Sequence, residues 1–150
     1  MTYKEVKADV FDYHDKGYYL IHCISADFKL GAGIAKEFEK RFGLRKGLYS
    51  CLGSQWYLNF AEMERGVVLH HPGCKVIDLV TKARYWFKPT LSIMNSALIG
   101  LREFCKERGI GKIAMPRIGC GLDGLHWEDV SEMIKYIFKD TDIEIVVCYL

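Results

Sequence analysis

Between Tyr18 and Ile24 the chain reads YYLIHCI, a near-continuous apolar run. Such a run marks a strand buried on both faces of a sheet, and strands of that kind belong to α/β folds with helices on either side. The neighbouring segments fit this demand. Val6–Phe11, Val67–His70, Lys75–Thr81, Lys112–Met115 and Ile143–Tyr149 read as further strands, with the turn His71-Pro72-Gly73 between the second and third of these. Helical spacing intervenes. Gly31-Ala32-Gly33 opens a helix carrying Ile34, Phe38 and Phe42 on one face, with Gly43 placed to end it. Thr90 is an N-cap for a helix with Leu91, Met94, Leu98, Leu101 and Phe104, stopped near Gly109. Glu128–Lys139 is amphipathic through Val130, Met133, Ile134, Ile137 and Phe138. The expectation is an α/β sandwich around a parallel or mixed sheet.

A length of 150 residues fits a single domain, 1–150, and no linker, repeat or low-complexity segment divides it. With 50% hydrophobic and 13% aromatic residues the chain is not intrinsically disordered. A net charge of +2 implies no strong pull toward nucleic acid or an anionic membrane. The longest uncharged stretch, Gly47 to Ala61, is 15 residues and too polar to span a bilayer. The six cysteines (Cys23, Cys51, Cys74, Cys105, Cys120 and Cys148) form no C-x-x-C pair. They read as buried free thiols of a protein in a reducing compartment, the cytoplasm or a eukaryotic nucleus.

In such folds ligands sit where loops leave the carboxyl ends of strands. Two glycine-rich loops leave strands and enter helices here. In SADFKLGAGIA, Gly31 and Gly33 let backbone amides approach an anion at the positive end of the following helix. In PRIGCGLDGLHW, Gly119, Gly121 and Gly124 repeat the arrangement. Two such cradles at one sheet edge suit a diphosphate between two larger groups.

Within these loops the residues with chemistry have two readings each. Asp123 is an Asx-turn or cap residue, or else a general acid/base or an acceptor for a sugar hydroxyl. Lys82, after VIDLVT, is a solvated edge residue, or else a phosphate ligand or a nucleophile toward an anomeric carbon. Asp9 is a turn residue or accepts from an adenine amine. Tyr85, Trp86 and Phe87 pack, or stack on a base or ribose. Cys120 lacks a His partner, which weakens it as a thiol nucleophile. His22, His70 and His71 match no metal-ligand spacing, so no metal is expected.

Taken in order, HCISADFKLGAGIAKEFEKRFG, VTKARYWFKPT and MPRIGCGLDGLHWEDVSEMI closely resemble the macrodomain family, and within it the terminal ADP-ribose protein glycohydrolase subgroup. The resemblance spans nearly the whole chain, with only Gly47 to about His71 outside it. It implies a three-layer α/β/α sandwich with a six-stranded mixed sheet, and ADP-ribose as ligand. Asp9 and Val10 would meet the adenine, and Ser25 the distal ribose. Gly31, Ala32, Gly33, Ile34 and Ala35, with Gly119, Cys120, Gly121 and Leu122, would hold the diphosphate and distal ribose. Lys82 and Asp123 would be the catalytic pair. The implied activity removes ADP-ribose from acidic side chains and deacetylates O-acetyl-ADP-ribose, without a cofactor. The implied partners are ADP-ribosylated proteins, and the chain is expected to be a monomer away from membranes. Many relatives carry G-G-G-V-D in the first loop. Here GAGIA puts Ala35 where that acid would fall, which leaves the Lys–Asp route. The segment after Lys82 is also less basic than the resemblance implies. A reader of ADP-ribose without chemistry, and a hydrolase acting on ADP-ribosylated DNA bases, are the alternatives.

Overall fold

The computed structural model describes every residue from Met1 to Leu150. Six strands, β1 (Thr2–Lys7), β2 (Tyr19–Ser25), β3 (Val67–His71), β4 (Val76–Lys82), β5 (Lys112–Pro116) and β6 (Glu144–Tyr149), form one sheet in the order β1-β6-β5-β2-β4-β3. Neighbours pair parallel except β3, which runs antiparallel to β4 across the turn at Pro72. The helices are α1 (Gly33–Phe42), α2 (Leu44–Leu52), α3 (Trp56–Met63), α4 (Leu91–Arg108) and α5 (Trp127–Phe138).

Alternation along the strands distributes the core to two faces. Ile77 and Leu79 of β4 join Met94, Leu98 and Leu101 of α4 and Ile134 and Phe138 of α5. Val76 and Val80 point the other way, into a core with Phe38 of α1, Leu48 of α2 and Phe60 of α3. Each fully buried side chain of this size contributes roughly 1.5–3 kcal/mol. The sheet is therefore sandwiched between two helical layers, as expected. α4 begins where Thr90 Oγ1 accepts from Ile93 N at 3.2 Å and ends at Gly109, whose φ of 65° is the left-handed stop.

Two expectations need correction, and one segment the motifs left uncovered gains its structure. The first strand is Thr2–Lys7 and not Val6–Phe11. Asp9 Oδ1 accepts from Phe11 N and caps a 3-10 helix, Val10–Lys16, so the chain turns where a strand was expected. The segment between Gly43 and His71 carries two helices, α2 and α3, that no motif signalled. Finally, the thiols are free but not all buried: Cys105 and Cys148 are buried, whereas Cys51 is exposed.

Candidate active site

β2, β4 and β5 run parallel, so their carboxyl ends share one edge of the sheet. The loops leaving them enclose a cleft of about 970 Å³. Ser25, the loop Gly31–Ala35, Lys82 and the loop Gly119–Asp123 all line it. The two glycine loops meet near Gly33, where an added Cβ would lie 3.8 Å from Leu122 Cδ1. Ala32 caps α1 without a side-chain hydrogen bond, so the first amides of that helix are left for an anion. Asp9 and Val10 do not line the cleft. Asp9 is occupied as a cap and Val10 is buried, and their expected contact with adenine rests on the resemblance alone.

Lys82 and Asp123 converge. Lys82 Nζ donates to Asp123 Oδ1 at 2.6 Å, with side-chain exposures of 15% and 17%. Lys82 is thus no solvated edge residue. Asp123 ends a 3-10 turn, Gly121–Asp123, and spends its carboxylate on the lysine rather than on a cap. From the same β4 exit, Lys88 Nζ donates to the carbonyl of Leu122, so two lysines hold this turn.

The first loop is strained. Phe28 and Leu30 have φ of 57° and 47°, which non-glycine residues adopt at a cost of order 1 kcal/mol or more. Packing imposes it: Phe28 is fully buried, stacked 5.7 Å from Trp56 of α3 and edge-on 5.6 Å from Tyr49 of α2. Arg45 Nε donates to Phe28 O at 2.8 Å and Tyr49 OH to Asp27 O at 3.0 Å. Asp27 is itself buried. Its carboxylate accepts from Ser25 Oγ at 2.6 Å and from Tyr85 N at 2.9 Å, which ties the loop after β2 to the loop after β4.

Several residues here lie outside the expected set. Lys29 and Arg45 line the cleft, as do Lys88 and Arg117; Tyr85 and Trp86, for which stacking on a base or ribose was one of two readings, line it too. Tyr85, Trp86 and Phe87 are about half exposed (56%, 55% and 45%), which overturns their reading as packing residues. Burial pushes the Cys120 thiol up, and Cys120 Sγ lies 3.6 Å from Ile118 O. Burial pushes up Cys23 on the cleft wall as well. Thiols in that state are poor nucleophiles. His22 and His71 both hydrogen-bond the carboxylate of Asp78, and no cluster of side chains suits a metal ion.

No family model matches the chain. Individual proteins do. It is 43% identical to human ADP-ribose glycohydrolase OARD1 over 129 residues, covering 85% of this chain and 79% of that protein. The macrodomain of Mycobacterium tuberculosis DarG superposes with a TM-score of 0.81 at 20% identity, covering 99% of this chain and 98% of the other. Thermosipho africanus DarTG, solved in complex with ADP-ribose, superposes with a TM-score of 0.74 at 19% identity, over 99% of this chain and 41% of its own. The six-stranded mixed sheet, the paired glycine loops and this degree of identity place the chain in the macrodomain family, with the ADP-ribose glycohydrolases.

Proposed function

We propose that this protein is an ADP-ribosyl hydrolase that binds ADP-ribose and releases it from esters with Glu or Asp side chains. The observation that carries the reading is the Lys82–Asp123 contact at 2.6 Å inside a cleft bounded by two glycine loops. The loops' amides and the open end of α1 suit the diphosphate, while Ser25 stands on the same wall. The resemblance to human ADP-ribose glycohydrolase supports the assignment.

In this reading Asp123 takes a proton from Lys82 Nζ. The free amine then attacks C1″, the Nζ–C1″ bond forms, and the bond from C1″ to the acyl oxygen breaks with its electrons leaving on the carboxylate. Nζ loses a proton to the released carboxylate, Asp123 gives its proton to O4″, and the ring C1″–O4″ bond opens to the Schiff base that borohydride reduces. Asp123 next passes protons between an incoming water and Lys82. Water adds to C1″, the C1″–Nζ bond breaks, and ADP-ribose departs with lysine restored. O-acetyl-ADP-ribose carries a smaller ester on the same sugar and is a second substrate in this reading once its acetyl group has migrated to the C1″ oxygen. A reducing compartment accords with six free cysteines.

Borohydride added during turnover is expected to trap ADP-ribose on Lys82. Lys82→Ala is expected to abolish both the adduct and the reaction. Full turnover by Lys82→Ala, with no adduct in the parent, would exclude the covalent route. Asp123→Ala should lose turnover by about 100-fold or more while ADP-ribose affinity by calorimetry changes far less. Equal loss of both would reduce Asp123 to a binding residue. A second reading, removal of ADP-ribose from DNA bases, is favoured by 27% identity over 131 residues to the DNA ADP-ribosyl glycohydrolase of Mycobacterium tuberculosis, and thymidine-linked oligonucleotides test it.

A further inference from the structure

Three consecutive aromatic side chains, Tyr85, Trp86 and Phe87, face solvent at the mouth of the cleft. They follow β4 within a few residues of Lys82, and their rings contact one another edge-on at 5.0 and 5.5 Å. Exposed aromatics on a mobile loop would carry little information. Here the backbone beneath them is fixed. Tyr85 N donates to the buried Asp27 carboxylate at 2.9 Å, and Phe87 N to Arg84 O at 3.0 Å. The Arg84 guanidinium lies 4.1 Å from the ring centre of Tyr57 on α3 and 4.6 Å from that of Trp86. Lys88 closes the segment against Leu122. A rigid loop that leaves large apolar rings in water is a pre-organised contact surface, because the ordering cost of binding has already been met in folding.

The charge around it indicates what the surface contacts. Lys29, Arg45, Lys82, Lys88 and Arg117 line the cleft, and Asp123 is its only acid. Arg117 is already paired with Glu5 at 3.3 Å, and the four cations that remain still exceed the charge of a diphosphate and Asp123. The whole chain carries only +2, so no strong net field draws a nucleic-acid backbone to it. The only arginine among the aromatic residues, Arg84, is committed to two rings and to Asp27 Oδ2 at 3.8 Å. We propose that Tyr85, Trp86 and Phe87 form the docking surface for the polypeptide that carries the ADP-ribose. The matching segment is acidic and has aromatic or aliphatic residues beside the modified side chain. The inference rests on the protein-ester reading above and assigns the acceptor side of that site.

The test compares the full chain with the variant Phe87→Ser. Phe87 is exposed and lies outside the cleft lining. Three substrates separate the outcomes: O-acetyl-ADP-ribose, an acidic peptide with Tyr and Leu flanking an ADP-ribosylated Glu, and a thymidine-linked oligonucleotide. KM for the peptide should rise about tenfold, the scale of losing an aromatic anchor. kcat/KM for O-acetyl-ADP-ribose and for the oligonucleotide should stay within about twofold, as expected for surface changes away from their contacts. An equal loss on O-acetyl-ADP-ribose would show that these rings hold ADP-ribose itself and overturn the proposal. Loss confined to the oligonucleotide, or no change on the peptide, would also overturn it. If the parent protein turns over none of the three, the hydrolase reading fails instead. Calorimetry then decides the surface alone: the ADP-ribosylated peptide must bind the parent more tightly than free ADP-ribose does, and Phe87→Ser must shrink that difference.

Discussion

Gly31, Gly119 and Gly121 line one cleft for different reasons. A Cβ at Gly119 would meet Met94 Cε at 2.7 Å and Leu125 Cδ1 at 2.9 Å, and φ is +74°, so glycine is required by the fold. Gly121 needs only its φ of +70°. Gly31 has neither constraint: its φ is ordinary and the nearest atom to an added Cβ is Lys29 O at 3.7 Å. Gly31→Ala is therefore expected to change stability by less than about 0.5 kcal/mol in urea, as a surface substitution does. Its ADP-ribose affinity by calorimetry should fall about tenfold or more if a methyl occupies space the ligand needs. Gly119→Ala should lose about 2 kcal/mol or more in the same unfolding experiment. At this scale the glycine loops were legible in local pattern, whereas Lys82 and Asp123, each equally open to an edge or cap reading, were singled out by the family resemblance. Asp27 was not. Its burial comes from Tyr85 on another loop and from Tyr49 on another helix, and nothing in ADFK announces either. Arg45 and Lys29 were missed for the same reason, since only the folded α2 brings Arg45 to the cleft.

At the scale of elements, β2, β4 and α1 are joined by a buried polar group. His22 Nε2 and Asp78 Oδ1 lie 2.6 Å apart on neighbouring strands, His71 of β3 takes the other carboxylate oxygen, and Phe38 of α1 stacks 3.9 Å from the His22 ring. Burial alone would raise the Asp78 carboxyl, but the charge and hydrogen bonds of His22, and then of His71, hold it below the usual carboxylate range. A carboxylate lowered in the folded state stabilises above its unfolded pKa of about 4 and loses that contribution as pH falls below it. Urea midpoints should therefore decline between pH 5 and the acid limit. Asp78→Asn should flatten that decline and cost about 3 kcal/mol at pH 7, because it leaves the histidines without their partner. The long, apolar strands and α4 were readable from periodicity. β1 was displaced in the reading because it is an edge strand, with Lys4, Glu5 and Lys7 and few buried positions. α2 and α3 escaped although Leu44 and Leu48, and Trp56 and Phe60, are spaced four apart and buried. Each is barely two turns long, too short for periodicity to stand out. Their importance is tertiary: they hold Phe28 and hence the strained first loop.

At the scale of the molecule, the cleft joins loops from three adjacent parallel strands, so a ligand held in it should be felt by the whole cooperative unit. Free ADP-ribose at about 100 times its Kd adds about 2.7 kcal/mol. For a domain of this size that is a rise in Tm of about 5–10 °C by calorimetry. Lys82→Ala with Asp123→Ala should keep most of that rise if the glycine loops supply the affinity, whereas Gly31→Ala should lose part of it. A rise that vanished in the double variant and persisted in Gly31→Ala would reverse that division of labour. The strand order carries a different consequence. β1 and β6 lie side by side, with Thr2 opposite Glu144 and Lys7 opposite Tyr149. The segment made early has no hydrogen-bonding neighbour on the sheet until the one made late has left the ribosome. Its edge amides stay open through most of synthesis, and closing that long loop makes final assembly a late, slow event exposed to chaperones.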